Sequence, residues 1–462
     1  MQEHGNKHQS NTQYSSISKA TETTLQQPDL TIGGSKNGRQ DNSGFSHKIF
    51  HRNHSYVNPN DGLPGWLVIM IAAVGGLAVA NLYYVQPLLH AISVEFKTTT
   101  AVAGLLVTMN QIGFAGGLLL LVPVGDLVER RRMILVFLLL SSAALAAFAI
   151  SPNLNLLEIF AVTIGVTSIT AQILVSFVAT VSTEQSRGAM VGRTMSGLLL
   201  GIVLARTASG ALAQVAGWRS IYWTASAAML AMSLLLGYVL PRLRPQITIG
   251  YHRLLHSVMV LFLEEPILRW RSLYGAVSFA AFNVLWTNLA FLLSGSPYHY
   301  NTVEIGLFGL AGAAGSLCAS VAGKLTDRGY ARIASIIFFS ATTLSFGLLA
   351  LGKTSLLLLL AGIILLDLGV WGAQVSNQSL IYRLRPNAQS RITTVYMTSY
   401  FIGGAVGSSS SALLYAKEGW DATCALGAAF GFVAIVFWLS EHRRLGNYYA
   451  RLTPIQRLSK QD

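Results

Sequence analysis

The sequence predicts an all-α membrane protein with twelve transmembrane helices in two parallel six-helix repeats. Few residues are charged, the apolar runs have membrane length, and short motifs recur about 202 residues apart. Of the 462 residues, 52% are hydrophobic and 11% are charged, whereas soluble proteins carry about a quarter charged residues. Apolar runs of roughly twenty residues recur from Leu63 to Leu439, the length that crosses ~30 Å of hydrocarbon. The runs are continuous and not alternating, so they predict helices and exclude a β-barrel.

The predicted helices form two groups that a basic segment separates. We expect one six-helix bundle over residues 63–240, a cytoplasmic loop over 241–270 and a second bundle over 271–440. The even number of crossings places both chain termini on the same side of the membrane. The predicted helices span residues 64–90, 101–124, 132–150, 154–181, 188–215, 218–240, 271–294, 303–323, 331–351, 354–381, 391–415 and 420–440.

The basic residues indicate the orientation of the chain. Its formal net charge is +13, and it contains 32 lysines and arginines. Sixteen of them lie in one alternating set of loops and four lie in the other set. Because cytoplasmic loops are enriched in lysine and arginine, the rich loops and both termini are predicted to be cytoplasmic, in an inner (plasma) membrane. The charge therefore reflects topology and a lipid bilayer as partner, and it does not indicate nucleic-acid binding.

The two ends of the chain are predicted to be tails. Residues 1–62 are polar and poor in aliphatic side chains, which predicts a disordered cytoplasmic tail; residues 441–462 form a second cytoplasmic tail. The first tail has no apolar segment, so we expect no cleavable signal peptide and an uncleaved first helix. Cys318 and Cys424 lie in apolar runs, where packing is expected and not a disulfide. No cofactor or metal site is predicted, and we expect the chain to act as a monomer.

Three pairs of motifs establish the internal repeat. Each pair occupies the same place in the helix order of its half, so an offset of six helices preserves orientation. The halves are therefore predicted to be parallel repeats related by an axis along the membrane normal. The pairs are Asp126 with Asp327, Gln185-Ser186-Arg187 with Gln389-Ser390-Arg391, and Gly217-Trp218 with Gly419-Trp420.

The segment between the halves combines basic and apolar residues. Arg253 and Arg269 flank Val258, Leu261 and Phe262, a pattern that predicts a short amphipathic helix on the cytoplasmic surface. A regulatory role is one interpretation; a tether between the halves is the favoured one.

Two six-helix halves, a basic central loop and an aspartate-plus-arginine turn after the second and eighth helices resemble the major facilitator superfamily. The family's loop signature is well kept in residues 323–332 and partly kept around Asp126, where Val122 stands in place of a glycine. The segment Asn81-Leu82-Tyr83-Tyr84-Val85-Gln86-Pro87 is similar to bacterial drug and metabolite efflux members. Two signatures of the family's proton-driven drug antiporters are not kept in this sequence. Ala161 stands where the fourth helix of those antiporters has an arginine, and Arg206 stands where their fifth helix has a proline.

The resemblance implies a conformational latch at the cytoplasmic side. Asp126 is expected to interact with the positive end of the following helix and to pair with an arginine of the other half, such as Arg391. That contact would break when the halves rock; the alternative is that these charges only cap helices and set topology. The candidate latch residues are Asp126, Arg130, Arg131, Arg187, Asp327, Arg328, Arg332 and Arg391.

Polar residues inside the apolar runs predict the path of a solute. Asp367, Trp371, Gln374 and Gln378 follow the i, i+4, i+7, i+11 spacing of one helix face, and Asn377 widens it. The resemblance places this face, together with residues of the first and seventh helices, along a central cavity. Interhelical hydrogen bonding without ligand contact is the alternative. The other candidates for the substrate and proton pathway are Asn81, Tyr84, Arg206, Asn283 and Trp286.

Arg206 and Asp367 are the two deeply placed charges. They could form a buried ion pair, or Asp367 could be unpaired and carry protons; both alternatives stay open.

Two pairs of glycines, Gly197 with Gly201 and Gly403 with Gly407, have the Gly-x-x-x-Gly spacing that allows close approach of helices. They could serve as sliding contacts between the halves or as static packing.

These observations favour a secondary active transporter that moves a small organic solute by alternating access, with proton-coupled efflux as the leading prediction. The alternatives are an uptake permease for a small nutrient and a membrane receptor or scaffold that kept the fold without transport. An enzyme is not predicted, because the apolar runs contain no nucleophile–base pair and the loops contain no phosphate-binding glycine pattern.

Overall fold

The computed structural model describes residues 63–183, 185–242, 250–318, 331–385 and 388–452. These residues are almost entirely helical. The helices are α1 (Gly65–Ala80), α2 (Leu89–Glu95), α3 (Thr100–Leu120), α4 (Arg130–Ile150), α5 (Leu154–Ser168), α6 (Thr170–Val181), α7 (Arg187–Ala216), α8 (Arg219–Val239), α9 (Tyr251–Glu264), α10 (Pro266–Ser294), α11 (Thr302–Cys318), α12 (Ala331–Leu351), α13 (Leu356–Ile381) and α14 (Gln389–Leu452).

Nine helical segments in the described ranges are long and apolar enough to cross a membrane, and α1 and α11 are shorter apolar helices. The last long segment lies in α14, which Gly419 breaks with a φ of 77°. With α14 counted as two crossings, the described helices agree with the predicted all-α membrane fold and are consistent with twelve spans. Residues 1–62, 319–330 and 453–462 lie outside the described residues, and the predicted C-terminal tail begins as a continuation of α14.

The predicted repeat is visible in the backbone and in helix packing. Gly217 and Gly419 both adopt a left-handed conformation, with φ of 78° and 77°, and each precedes a buried tryptophan. The left-handed region is accessible to glycine without steric cost, which explains why a glycine ends the helix at the same place in each half.

The Gly-x-x-x-Gly pairs pack within each half and not between the halves. A Cβ on Gly197 or Gly201 would meet the Ala72 or Gly76 carbonyl of α1, and α14 and α10 repeat this arrangement at Gly403 and Gly407. The structure therefore favours static packing over sliding at these glycines.

We expect Gly201→Leu to prevent correct packing of α1 against α7. Its Cβ would press on the Gly76 backbone, which cannot move aside as a flexible side chain can, and overpacking typically costs about 1–3 kcal/mol or more. The measurement is the yield of monodisperse protein in size-exclusion chromatography. Gly192→Leu is the matched control on the same helix, because a Cβ there meets nothing within 4 Å; an equal loss in both variants would contradict the prediction.

The helix boundaries differ from the prediction at three places. The first predicted helix leaves α-geometry after Ala80, continues through turns and a short 3-10 segment at Gln86–Leu88, and resumes as α2. The seventh begins at Pro266 and not at residue 271, and α14 continues to Leu452. The segment between the halves contains the predicted amphipathic helix as α9, whose Leu254, Val258 and Leu261 are buried.

Two ends of the helix bundle can be distinguished by their loops. We call the end that carries the α3–α4, α6–α7 and α13–α14 connections the basic end, and the other end the opposite end. The most extensive contacts between the N-terminal half (α1–α8) and the C-terminal half (α10–α14) are made by α3 against α14 and by α7 against α11. Helix α9 lies at the basic end, where Tyr251 donates a hydrogen bond to the Leu120 carbonyl (2.9 Å) and Arg385 pairs with Glu264 (3.2 Å) and Glu265 (2.7 Å).

Candidate functional site

Four charged side chains are buried among the described residues: Arg206, Arg271, Asp367 and Glu441. Burial of a charge in a membrane protein costs several kcal/mol unless it is compensated, so each requires a physical account. Two of them form an ion pair near the basic end, and the other two lie deeper. The charges of the first set are in direct contact, and those of the deeper set are not.

The deep pair, Arg206 and Asp367, is separated by one indole ring. The guanidinium carbon of Arg206 lies 3.6 Å from the centroid of the Trp286 ring. On its edge, the same indole donates a hydrogen bond from Nε1 to Asp367 Oδ1 over 3.2 Å. The two side chains make no direct ion pair, although both are at most 3% exposed. The open alternative between a direct pair and separated charges is thus decided in favour of separation.

Aromatic rings and one amide surround the arginine. Tyr83 and Phe282 have ring centroids 5.1 and 5.5 Å from the guanidinium carbon of Arg206. Cations are attracted to the faces of aromatic rings, more strongly when water is excluded. Arg206 Nε also donates to Gln86 Oε1 (2.8 Å). The arginine is therefore stabilised by several neutral groups and not by a contacting carboxylate.

Two donors at this site have no hydrogen-bond partner within the protein. They are Arg206 Nη2 and Gln86 Nε2, both fully buried. Because Gln86 accepts from the same guanidinium, the two groups are neighbours. Buried donors of this kind carry a desolvation penalty of about 1–3 kcal/mol each. A buried donor without a partner in a native structure therefore requires an explanation, and a bound ligand or ion is one such explanation.

Helix α11 provides the space for the three central side chains. Four glycines recur at every third position, Gly306, Gly309, Gly312 and Gly315. A Cβ on Gly309 would lie 3.0 Å from Arg206 Cβ, and one on Gly312 would lie 2.8 Å from Trp286 Cζ2. On Gly315 it would lie 2.9 Å from Asp367 Cβ. This glycine series brings α11 against all three side chains. In the sequence, the feature that indicates this close approach is a glycine at every third position.

Further candidates of the predicted pathway lie close to this site. Trp371 packs edge-on against Phe282, with ring centroids 6.2 Å apart. Gln374 is buried, and its Oε1 has no partner within the protein. Asn283 accepts a hydrogen bond from Gln111 of α3 (3.1 Å), which joins the two halves.

Other predicted pathway residues face elsewhere. Asn81 donates to Ser141 Oγ of α4 (3.2 Å), and Tyr84 packs edge-on against Tyr222 of α8 (6.5 Å), so both are directed into the N-terminal half. The sequence argument missed their neighbours Tyr83 and Gln86, because helical periodicity does not apply where the first helix leaves α-geometry.

The polar face of α13 continues towards the basic end with Asn377 and Gln378, and Asn377 belongs to the second buried charge cluster. Arg271 pairs with Glu441 (3.2 Å) and donates to Asn377 Oδ1 (3.3 Å). Tyr274 donates its hydroxyl to Glu441 (2.6 Å). Asn377 lies ten residues beyond Asp367, which is about 15 Å along a helix, and Gln378 points to Met397 Sδ (3.7 Å). The structure does not bring these two side chains into contact with Arg206 or Asp367.

The candidate latch is described only in part. Arg130 donates to the carbonyls of Gly125 and Ser176 and to Thr180 Oγ1, and Arg131 donates to the Gly237 carbonyl. These contacts stay within the N-terminal half and connect helix ends. Arg187 is exposed, and Arg391 lines a cavity at the basic end together with Arg385 and Glu264. Asp327 and Arg328, and the side chains of Asp126 and Arg332, lie outside the described residues, so the latch stays a prediction.

Comparison with known proteins gives the family. The sequence profile described as "Major Facilitator Superfamily" matches residues 71–408. The "Uncharacterized transporter YgaY" of Escherichia coli O157:H7 is 44% identical over 389 residues, which cover 84% of this chain and 99% of that protein. The "Probable transporter SCO4007" of Streptomyces coelicolor is 31% identical over 382 residues, 82% of this chain and 88% of that protein.

A solved structure shares the fold at low sequence identity. It is a bacterial homologue of the human lysosomal transporter Spinster in an inward-facing and occupied conformation. Its TM-score is 0.67 at 13% identity, over 84% of this chain and 98% of that one. The matched profile and the relatives show the family, and the fold is consistent with it: this chain belongs to the major facilitator superfamily and is a membrane transport protein.

Proposed function

We propose that the protein exports a small organic solute across a bacterial cytoplasmic membrane in exchange for protons, by alternating access. The observation that carries this proposal is the separated charge pair Arg206 and Asp367. It is buried between α7 of one half and α10 and α13 of the other, so a rigid-body movement of the halves changes its surroundings. An ionisable group at membrane depth is by default a candidate for substrate or proton transfer.

The contacts between the halves support a rocking movement. At the opposite end, Thr207 Oγ1 donates to the Gly306 carbonyl (3.1 Å) and Thr302 Oγ1 to Gln214 Oε1 (3.2 Å). Thr108 and Ser408 hydroxyls lie 2.8 Å apart. These contacts support a conformation that is closed at the opposite end.

Asp367 is the group we assign to proton coupling. Its carboxylate accepts a hydrogen bond from Trp286 and has a positive charge one ring away, so either protonation state can be accommodated. Addition of a proton removes the attraction to Arg206, and loss of the proton restores it. A solute that interacts with either charge is thereby coupled to the proton.

The test is proton movement in inside-out membrane vesicles that are acidified internally. With the protein present, an exported solute should collapse the pH gradient, because protons leave the lumen as solute enters; vesicles without the protein are the control. Proton-linked accumulation only in right-side-out vesicles would replace export by uptake. No solute or proton movement with a broad panel of compounds would favour a receptor or scaffold.

A further inference from the structure

The two buried charge clusters of this protein differ in a way that points to a ligand. In the cluster near the basic end, Arg271 and Glu441 are in direct contact at 3.2 Å. In the deep site, Arg206 and Asp367 are equally buried but held apart by Trp286. A direct contact would compensate both burial costs, so a site that keeps two opposite charges apart leaves each of them able to bind a charge from elsewhere.

The arginine side of the deep site is suited to a carboxylate. Arg206 Nη2 and Gln86 Nε2 are neighbouring donors without a partner within the protein. Guanidinium and amide N–H groups side by side match the two oxygens of a carboxylate, and charge-assisted bonds of this kind are about twice as strong as neutral ones.

The other side of the site is suited to a cation. Asp367 has one hydrogen bond to a side chain, from Trp286 to Oδ1, and an ionised carboxylate can accept several more. Between the two charged groups lies the Trp286 ring, and Phe282 flanks it with ring centroids 6.0 Å apart; these apolar surfaces are suited to an apolar chain.

We propose that the substrate class is a zwitterion whose carboxylate and amine stand at opposite ends of a short apolar body. Arg206 with Gln86 binds the carboxylate, and Asp367 binds the ammonium group. The indole fills the space between the protein charges, so the ligand's charges must be separated by more than the single carbon of an α-amino acid. This inference rests on the proposed function and explains the exchange in it, because a proton and the ammonium group compete for Asp367.

The test is equilibrium binding to the purified full-length protein by isothermal titration calorimetry, with four probes of equal carbon number. They are 6-aminohexanoate, 2-aminohexanoate, hexanoate and hexylamine. We expect 6-aminohexanoate to bind at least about tenfold more tightly than each of the other three, a difference of about 1.4 kcal/mol, and to lose affinity as the pH is lowered. Equal binding of hexanoate, tighter binding of 2-aminohexanoate, or no binding of 6-aminohexanoate would overturn the proposal.

Two substitutions assign the ends of the ligand. In Asp367→Asn, 6-aminohexanoate should lose its advantage over hexanoate, and in Arg206→Gln it should lose its advantage over hexylamine. Arg206→Lys should keep part of that advantage and replaces the glutamine variant if the latter does not fold. Glu158→Gln, at a partly exposed acid of α5, should behave as wild type; if it loses affinity equally, Asp367 is not the ammonium site.

Binding and transport can fail separately. If proton-linked export is found but no zwitterion binds, the substrate class is wrong and the proposed function stands. If 6-aminohexanoate binds as expected but no solute moves in vesicles, the binding site stands and the proposed function is wrong.

Discussion

Asp367→Asn is expected to abolish accumulation of solute against a gradient while exchange at equal, saturating concentrations continues. Asparagine has the same shape and can still accept the Trp286 hydrogen bond, but it cannot bind or release a proton. A pH difference of one unit is worth about 1.4 kcal/mol per proton, which sustains about tenfold accumulation. In the variant this ratio should fall to about one.

The measurement is solute accumulation in vesicles with an imposed pH difference, compared with counterflow without one. Glu158→Gln is the matched control, because it removes an acid from the same membrane domain without touching the separated charge pair. Wild-type accumulation in Asp367→Asn would show that another group couples protons. Loss of counterflow even at saturating solute would contradict the prediction, because an excess of solute overcomes the weaker binding of its ammonium group.

Removal of one partner of the Arg271–Glu441 pair should destabilise the protein more than any other single charge substitution in the described C-terminal half. Both side chains are at most 4% exposed, and loss of one partner leaves the other charge buried without its contact at 3.2 Å. Such losses typically amount to about 3–5 kcal/mol. We expect Arg271→Leu and Glu441→Leu each to lower the unfolding temperature of the purified protein markedly.

The double variant Arg271→Met/Glu441→Leu tests the physical reason. Apolar pairs often replace buried ion pairs without loss, so the double variant should be more stable than either single variant. Arg385→Gln is the matched control: the Arg385 side chain is 47% exposed in its pairs with Glu264 and Glu265, and pairs of exposed side chains contribute about 1 kcal/mol or less. A double variant as unstable as the sum of the single variants would contradict this account.

Much of the fold follows from the sequence because the membrane restricts the possible solutions. Continuous apolar runs can only be helices, the basic loops divide the two ends, and the motif pairs at Gly217 and Gly419 recur with the same backbone conformation. The same argument identified Asp367 and Arg206, since a charge in an apolar run is visible without a structure.

The remainder depends on contacts that sequence spacing does not encode. Arg271 lies next to other basic residues and was predicted at the edge of a loop, yet it is buried because α10 begins five residues earlier than expected. Its partner Glu441 is 170 residues away, one residue beyond the predicted end of the last helix. Gln86 was assigned no role because it lies in a 3-10 segment, where helix-face counting fails.

The contact between α7 and α11 at the opposite end brings main chain against main chain. A Cβ on Gly306 would lie 2.7 Å from the Arg206 carbonyl, and Gly210 approaches the Thr302 carbonyl even more closely. Backbone surfaces in van der Waals contact leave no room for a chain of water molecules along that contact. A transporter that exchanges solute for protons must not let its gradient leak, and under the proposed function the close approach of α7 and α11 keeps water out of this part of the contact between the halves.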